Sequence, residues 1–139
     1  ISSYLGYNLG RMLDAPCIVC DNPGSYAEQI RRITHKDVVI PVSLSRYSRQ
    51  IIEFTKQAKR KDATVIALTD SYASPLTKDA DFLLVARTAS NGFHNSISAM
   101  CYLVDILLSA CCKKTPEQIH KNLAASEQAL SETNLMIDR

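Results

Sequence analysis

Three short runs of apolar residues, separated by longer segments with helical periodicity, place the strongest constraint on how this chain can fold. The runs occupy residues 38–42, 64–69 and 81–85, and their apolar residues are nearly continuous. Runs of this kind are typical of strands buried on both faces, which occur in parallel sheets covered by helices. The alternation of strands with helices predicts βαβ units with right-handed crossovers. We therefore predict an α/β fold, a three-layer α-β-α sandwich around a parallel sheet.

The other elements are predicted from helical periodicity, capping residues and turn signals. Pro41 weakens the prediction of a continuous first strand, because proline cannot donate a hydrogen bond to a strand ladder. In the first part of the chain we predict a helix that opens at Ile1, a strand at residues 16–20 and a turn at residues 21–24. A helix follows, begun by Ser25 with Glu28 as a capping box. Further along we predict a helix at residues 51–61, a helical turn after Ser74, a long helix at residues 96–112 and a final helix from Thr115.

The composition indicates one folded domain. A chain of 139 residues with 46% hydrophobic residues can bury one core, and its formal net charge of +2 favours no class of partner. The sequence opens inside an apolar helical pattern that has no start signal, so we interpret residues 1–139 as a single domain that is incomplete at its N-terminus.

The cysteines indicate a reducing compartment. Their number, five, is odd, and Cys111 lies beside Cys112, which suits a disulfide framework poorly. Cys17 and Cys20 have the spacing of half a zinc site, but they lie in a predicted strand, so we interpret them as core residues and expect no metal. The longest apolar stretch, residues 98–112, is too short to cross a bilayer, and no signal peptide is visible. We expect a cytoplasmic protein without membrane contact.

Three serines follow the first apolar run at the point where it leads into a helix. Ser43, Ser45 and Ser48 bring hydroxyls to a place where backbone N–H groups and the helix dipole favour an anion, and Arg46 and Arg49 add charge. In the alternative interpretation, one serine caps the helix and the others are ordinary loop residues. Composition alone favours that alternative.

Residues 37–85 resemble the core of an SIS (sugar isomerase) domain and are most similar to the SIS domains of RpiR-type transcriptional regulators. The family places a Ser-x-Ser-Gly-x-Ser/Thr loop directly after a buried strand, and Ser43, Ser45 and Ser48 match its hydroxyl positions. Three further motifs of the family follow here in the same order, Thr69-Asp70-Ser71, Ser74-Pro75-Leu76 and Ala80-Asp81. The resemblance extends over about residues 5–112, and this series of motifs is far more specific than the serines alone.

The resemblance implies a flavodoxin-like sheet whose first strand lies upstream of Ile1. It also implies that the three serines hold the phosphate of a phosphosugar, and that residues 69–74 border the same pocket. The family usually has glycine where this chain has Arg46, so Arg46 either replaces a backbone contact with a charge-assisted one or narrows the pocket. The expected ligand-binding residues are Ser43, Ser45, Arg46, Ser48, Thr69, Ser71, Ser74 and His94.

The resemblance further implies a binding module rather than an enzyme. Catalytic SIS domains commonly carry a glutamate on the helix after the last strand, whereas residues 96–112 contain only Asp105 as an acid. We therefore expect the effector domain of a bacterial RpiR-type regulator, with no cofactor and with a helix-turn-helix DNA-binding domain upstream. Two alternatives stay open, a phosphosugar isomerase that uses His94 or Glu53 as a base, and an SIS fold kept only for dimerisation.

We also expect a homodimer or a higher homo-oligomer. The final predicted helix carries an apolar stripe that either forms a dimer surface or packs back on its own domain, and the sequence favours neither. The stripe consists of Ile119, Leu123, Leu130 and Ile137.

Overall fold

The computed structural model describes residues 1–13, 15–20, 22–92, 94–114 and 116–133. The described residues divide into two compact units, one made of Ile1 and those between 20 and 103, and the other made of those between 2 and 19 and from Val104 onward. The elements in chain order are α1 (Ser2–Met12), α2 (Pro23–Arg32), β1 (Val38–Val39), α3 (Arg49–Arg60), β2 (Thr64–Thr69), a 3₁₀ turn (Pro75–Lys78), β3 (Phe82–Val85), α4 (Ser98–Lys114) and α5 (Pro116–Glu132).

The first unit contains a parallel sheet with the strand order β1-β2-β3. In its register Val38 lies opposite Thr64, and Ile66 lies opposite Phe82. The central strand β2 carries the fully buried side chains of Val65, Ala67 and Leu68, as a continuous apolar run predicts. The predicted α/β fold with a parallel sheet is therefore confirmed, and so are the strands expected from the second and third apolar runs.

The first strand is shorter than predicted, because Pro41 interrupts its ladder. β1 covers only Val38–Val39, and pairing resumes as an isolated parallel bridge between Val42 and Leu68. On either side of this bridge the Leu68 N–H donates to the Pro41 carbonyl at 2.9 Å, and the Ser43 N–H donates to the Leu68 carbonyl at 3.1 Å. The chain thus stays beside β2 as far as Ser43, which fixes where the following loop begins.

The predicted capping box at Ser25 and Glu28 is wrong. The helix begins two residues earlier, at Pro23, and the Oδ1 atom of Asn22 accepts from the Gly24 N–H at 2.9 Å. An asparagine before a proline suits the N-cap and the first helical position, so this pair outcompetes the serine. Glu28 instead pairs with Arg31 and Arg32 on the exposed face of the helix, while the predicted turn residue Asp21 lies outside the described residues.

The predicted strand at residues 16–20 is also wrong. This segment is assigned no strand, and Ile18 is 61% exposed. Apolar and β-branched residues favour a strand only where the backbone groups can join a ladder, and sequence alone does not reveal the partner. Cys17 is exposed rather than buried in the core. Within the described residues, no group of three or more His, Cys, Asp or Glu side chains could hold a metal ion.

In the second unit α1 packs against α5. The Asn122 side-chain amide of α5 donates to the Met12 carbonyl of α1 at 3.0 Å, and Arg11 pairs with Glu127 at 2.6 Å. Ile119, the first residue of the predicted stripe, is 3% exposed, so this part of α5 is covered within the chain itself. Thr115 and Ile137 lie outside the described residues. No helix in the described part of the chain is long and apolar enough to span a membrane.

Candidate functional site

Buried hydroxyl groups collect at the carboxyl ends of the three strands. Ser43 follows β1, Thr69 ends β2, Ser74 lies in the next loop, and Thr88 follows β3, and each of the four is at most 5% exposed. A buried hydroxyl costs free energy unless it is hydrogen-bonded, so such a cluster indicates a built polar site rather than chance. This edge is also where parallel α/β sheets bind their ligands.

Ser43 connects the first two strand ends. Its carbonyl accepts from the Thr69 hydroxyl at 2.8 Å, and its own Oγ accepts from the Ser48 N–H at 3.2 Å. The second bond closes residues 43–48 into a compact loop, which we call the serine loop. Because the Ser43 Oγ acts as the acceptor in this bond, its hydroxyl proton can be donated to a ligand.

Ser48 lies at the N-terminus of α3, where the helix dipole is positive. It occupies the N-cap position, but its side chain accepts no capping hydrogen bond from the described residues. The alternative prediction, in which a serine hydroxyl of this loop is used up as a helix cap, therefore does not hold for Ser48. Its hydroxyl and those of Ser43 and Ser45 remain candidates for binding an anion.

Arg46 adopts a left-handed backbone conformation, with φ of 67°. Glycine reaches this region without steric cost, whereas other L-residues do not. The serine loop has thus kept the backbone conformation for which the glycine of the family motif is suited, although arginine stands in its place. The Arg46 side chain and Ser45 are both exposed, so a ligand can reach them.

Asp70 belongs to the Thr69-Asp70-Ser71 motif but is not among the expected ligand-binding residues. Its carboxylate accepts from the Ser45 N–H at 3.0 Å, from the Tyr47 hydroxyl at 3.0 Å and from the Thr88 hydroxyl at 3.3 Å. The aspartate of the Thr-Asp-Ser motif was the available signal, but the partners lie 18 to 25 residues away in sequence. Asp70 therefore links loops that follow all three strands.

The environment of Tyr47 reflects the carboxylate beside it. Tyr47 is half-buried, and burial followed by the hydrogen bond and the negative charge of Asp70 raises the pKa of its phenol. A weaker contact with Ser74 acts in the opposite direction on the same pKa. The shift favours the neutral phenol, which is the form that donates to Asp70.

Two of the predicted ligand-binding residues after β2 are occupied in the protein's own turns. The Ser74 hydroxyl accepts from the Leu76 N–H at 3.4 Å and caps the 3₁₀ turn, as the Ser-Pro pair predicts. The Ser71 hydroxyl accepts from the Ala73 N–H at 3.1 Å and is half-buried. Both lie in the loop that carries Asp70, and their contact with a ligand stays a prediction.

The candidate bases His94 and Glu53 and the acid Asp105 take part in other hydrogen bonds. His94 is exposed, and its carbonyl accepts from the Ser90 hydroxyl at 2.6 Å within its own loop. Glu53 is exposed on α3 and accepts from the Gln57 side-chain amide at 2.7 Å. Asp105 accepts from the Tyr4 hydroxyl at 2.8 Å in the second unit. Among the described residues, none of these three side chains hydrogen-bonds to the serine loop.

Comparison with known sequences identifies the same family as the motifs. The sequence profile of the SIS domain family matches residues 1–110. An uncharacterized HTH-type transcriptional regulator of Haemophilus influenzae is 44% identical over 57 residues, which are 41% of this chain and 20% of that protein. Another from Clostridium perfringens is 29% identical over 101 residues, covering 69% of this chain and 36% of that protein. The chain thus spans only a minor part of the length of these two relatives.

Solved structures share the fold. The sugar isomerase domain of an RpiR transcription factor from Sphaerobacter thermophilus has a TM-score of 0.85 and 25% sequence identity, and the match covers 91% of this chain and 71% of that one. The Vibrio vulnificus NanR protein, solved in complex with ManNAc-6P, has a TM-score of 0.84 and 24% identity, with coverage of 98% of this chain and 52% of that one.

Proposed function

Because this chain belongs to the SIS domain family, we propose that it is the phosphosugar-binding effector domain of a bacterial RpiR-type transcriptional regulator. The observation that carries the proposal is the serine loop at the carboxyl ends of the parallel strands. Ser43, Ser45 and Ser48 hold the phosphate through their hydroxyls, and the N-terminus of α3 adds positive potential. Arg46 supplies a charge-assisted contact to the same phosphate.

The rest of the sugar lies against the neighbouring strand ends in this proposal. Thr69, Ser71 and Ser74 border the pocket from the β2 side, and His94 borders it from the loop that follows β3. The family membership supports this placement. The NanR protein, which shares the fold, was solved in complex with a phosphosugar, ManNAc-6P.

The regulator part of the proposal is supported by the two sequence relatives, both named HTH-type transcriptional regulators. A ligand changes an equilibrium between two arrangements only by binding them with different affinity. We propose that the phosphosugar shifts a homodimer between two arrangements in the cytoplasm, which changes the spacing of helix-turn-helix domains on DNA. The domain itself performs no isomerisation.

A thermal-shift panel tests the ligand class. Hexose, pentose, amino-sugar and N-acetylmuramic phosphates are each added to the purified chain, with the unphosphorylated sugars as controls. A ligand that binds only the folded state raises the melting temperature, and at 100 times its Kd it contributes about 2.7 kcal/mol. We expect at least one phosphosugar to raise the melting temperature while its unphosphorylated form does not. No shift with any member would favour an SIS fold kept only for dimerisation.

The contribution of the loop hydroxyls is tested by Ser45→Ala. Ser45 is exposed, so the substitution should leave stability nearly unchanged while affinity for the active phosphosugar falls by about 1–3 kcal/mol. Ser131→Ala, an exposed serine on α5, is the matched control and should bind like the parent chain. Unchanged affinity in Ser45→Ala would remove this serine from the site. Turnover of a phosphosugar that is abolished in His94→Ala would overturn the assignment as a non-enzymatic domain.

A further inference from the structure

We infer that Asp70 is the positioning residue of this site: its carboxylate holds the serine loop in the conformation that binds the ligand. The inference rests on the proposed function, because it concerns the loop that carries the phosphate in that proposal. Asp70 itself does not contact the ligand. It acts through Ser45 and Tyr47, the residues that it binds in the serine loop.

The position of Asp70 in the sheet explains why it can reach all three loops. It follows β2, which is the central strand of the order β1-β2-β3. The serine loop follows β1 on one side, and Thr88 follows β3 on the other side. A side chain at the end of the central strand is therefore the one placed between both neighbours, and its two carboxylate oxygens accept hydrogen bonds from both directions.

The contacts in the serine loop fall on either side of its strained residue. Arg46 has φ of 67°, and a non-glycine residue remains in that region only when its surroundings hold it there. The residues before and after it, Ser45 and Tyr47, are the two that donate to Asp70, one through its backbone N–H and one through its hydroxyl. Asp70 thus holds the left-handed turn through one hydrogen bond on each side of Arg46.

The hydrogen bonds from Ser45 and Tyr47 to Asp70 also determine which groups of the serine loop are left to bind a ligand. Backbone N–H groups around a left-handed residue tend to surround an anion, and here the Ser45 N–H already donates to the Asp70 carboxylate. The Asp70 carboxylate is thus the anion beside the Ser45 N–H, in place of a phosphate from the ligand. The serine loop therefore has its conformation before a ligand binds. The phosphate contacts are left to the serine hydroxyls, to Arg46 and to the first turn of α3.

The test uses Asp70→Ala and, as a matched control, Asp81→Ala, because Asp81 precedes β3 and contacts the opposite end of β2. Asp81 accepts from the Val65 N–H of β2 at 2.9 Å and pairs with Lys59, so it is also a carboxylate that holds backbone in the first unit. Asp81→Ala therefore reproduces a loss of stability without touching the serine loop. Asp70→Asn keeps one acceptor oxygen and should retain part of the Ser45 amide protection and of the phosphosugar affinity that Asp70→Ala loses. Tyr47→Phe removes a single hydrogen bond at nearly constant volume and serves if Asp70→Ala does not fold.

Two readouts are measured on the full chain. The first is the hydrogen-exchange rate of the Ser45 amide by NMR, and the second is affinity for inorganic phosphate and for the phosphosugars of the panel. We expect Asp70→Ala to accelerate Ser45 exchange and to weaken phosphosugar binding, each by about tenfold or more. Asp81→Ala should leave both within about twofold of the parent chain.

The outcomes separate this inference from the proposed function. A parent chain that binds no phosphosugar rejects the proposed function, and the Ser45 exchange rate then decides by itself whether Asp70 holds the loop. A parent chain that binds a phosphosugar with the same affinity as Asp70→Ala overturns the positioning role. An unchanged Ser45 exchange rate in Asp70→Ala also overturns it, as does an equal loss of affinity in Asp81→Ala.

Discussion

Arg46 and Asp62 both have positive φ, 67° and 59°, although neither is a glycine. At Asp62 the reason is local, because the residue ends α3 in a Schellman motif. There the Asp62 N–H donates to the Lys59 carbonyl at 3.0 Å, and the Ala63 N–H donates to the Ala58 carbonyl at 3.3 Å. At Arg46 the reason lies across the sheet, in the contacts of its neighbours with Asp70. The same backbone conformation is thus held by different means at the two places.

Arg46→Gly should stabilise the fold. Left-handed φ costs an L-residue about 1–2 kcal/mol, and the greater freedom of glycine in the unfolded chain offsets part of the gain. We expect the free energy of unfolding to rise by about 0.5–1 kcal/mol in urea titrations, while affinity for the phosphosugar falls because the guanidinium charge is lost. Asp62→Gly is the matched control, since it relieves the same strain at the end of α3 and should leave affinity unchanged. A destabilised Arg46→Gly variant would contradict the left-handed assignment.

In the second unit, the residue at one position of α1 determines how closely the residues after the helix can approach it. A Cβ atom at Gly6 in α1 would lie 2.4 Å from Val19 Cγ2, closer than two carbon atoms can approach. A Cβ atom at Gly10, one turn further along the helix, would have its nearest neighbour at 3.7 Å, the Cβ of Cys17, which is an ordinary contact. The residues after α1 therefore pack close to the helix at Gly6 and leave room at Gly10.

The two glycines predict opposite effects for the same substitution. Gly6→Ala should lower the free energy of unfolding by about 1–3 kcal/mol, because Val19 must move to admit the methyl group. Gly10→Ala should raise it by up to about 1 kcal/mol, because alanine favours the helix and meets no obstacle. Thermal or urea unfolding of both variants measures the difference. Val19→Ala should restore part of the stability of Gly6→Ala, and equal effects at the two positions would show that Val19 does not approach Gly6.

Across the molecule, several carboxylates gain hydrogen-bond donors when the chain folds. The N–H and hydroxyl of Thr34 lower the pKa of Asp37, and Lys59 followed by the Val65 N–H lowers the pKa of Asp81. Hydrogen bonds from Arg31 and Arg32 lower the pKa of Glu28. Each of these groups therefore binds a proton more readily in the unfolded chain than in the folded one. Their contributions to stability are present above the ordinary carboxyl pKa and are lost as the pH falls through the folded pKa.

The melting temperature should therefore decrease as the pH falls below about 4. The decrease follows from the direction of these shifts, since protonation in acid removes the acceptors that the donors need. Asp37→Asn should have a lower melting temperature at pH 7 and a weaker dependence on pH in the acid range. Scanning calorimetry between pH 7 and pH 3 measures both. A melting temperature that stays constant over this range would contradict the lowered pKa values.

Local signals were sufficient where the structure depends on neighbours in sequence. The apolar runs predicted β2 and β3, and the Ser-Pro pair predicted the cap at Ser74. The prediction failed for the strand at residues 16–20 and for the capping box at Ser25, where a competing partner decided the outcome. Asn22 took over the cap, and no ladder formed at residues 16–20. In both cases the pattern was present in the sequence, but the hydrogen bonds were formed elsewhere.

The apolar runs alone were enough for the α/β architecture, because periodicity reflects local conformation and burial. The resemblance of the motifs to SIS domains was enough for the family and for the importance of the serine loop. The tertiary fold decided how that loop is held. Asp70 meets Ser45, Tyr47 and Thr88 only because parallel strands bring the ends of distant segments to one edge. The physical reason is that a carboxylate accepts hydrogen bonds from donors that are near it in space. The pairing of the strands determines which donors are near, and no local sequence pattern contains that pairing.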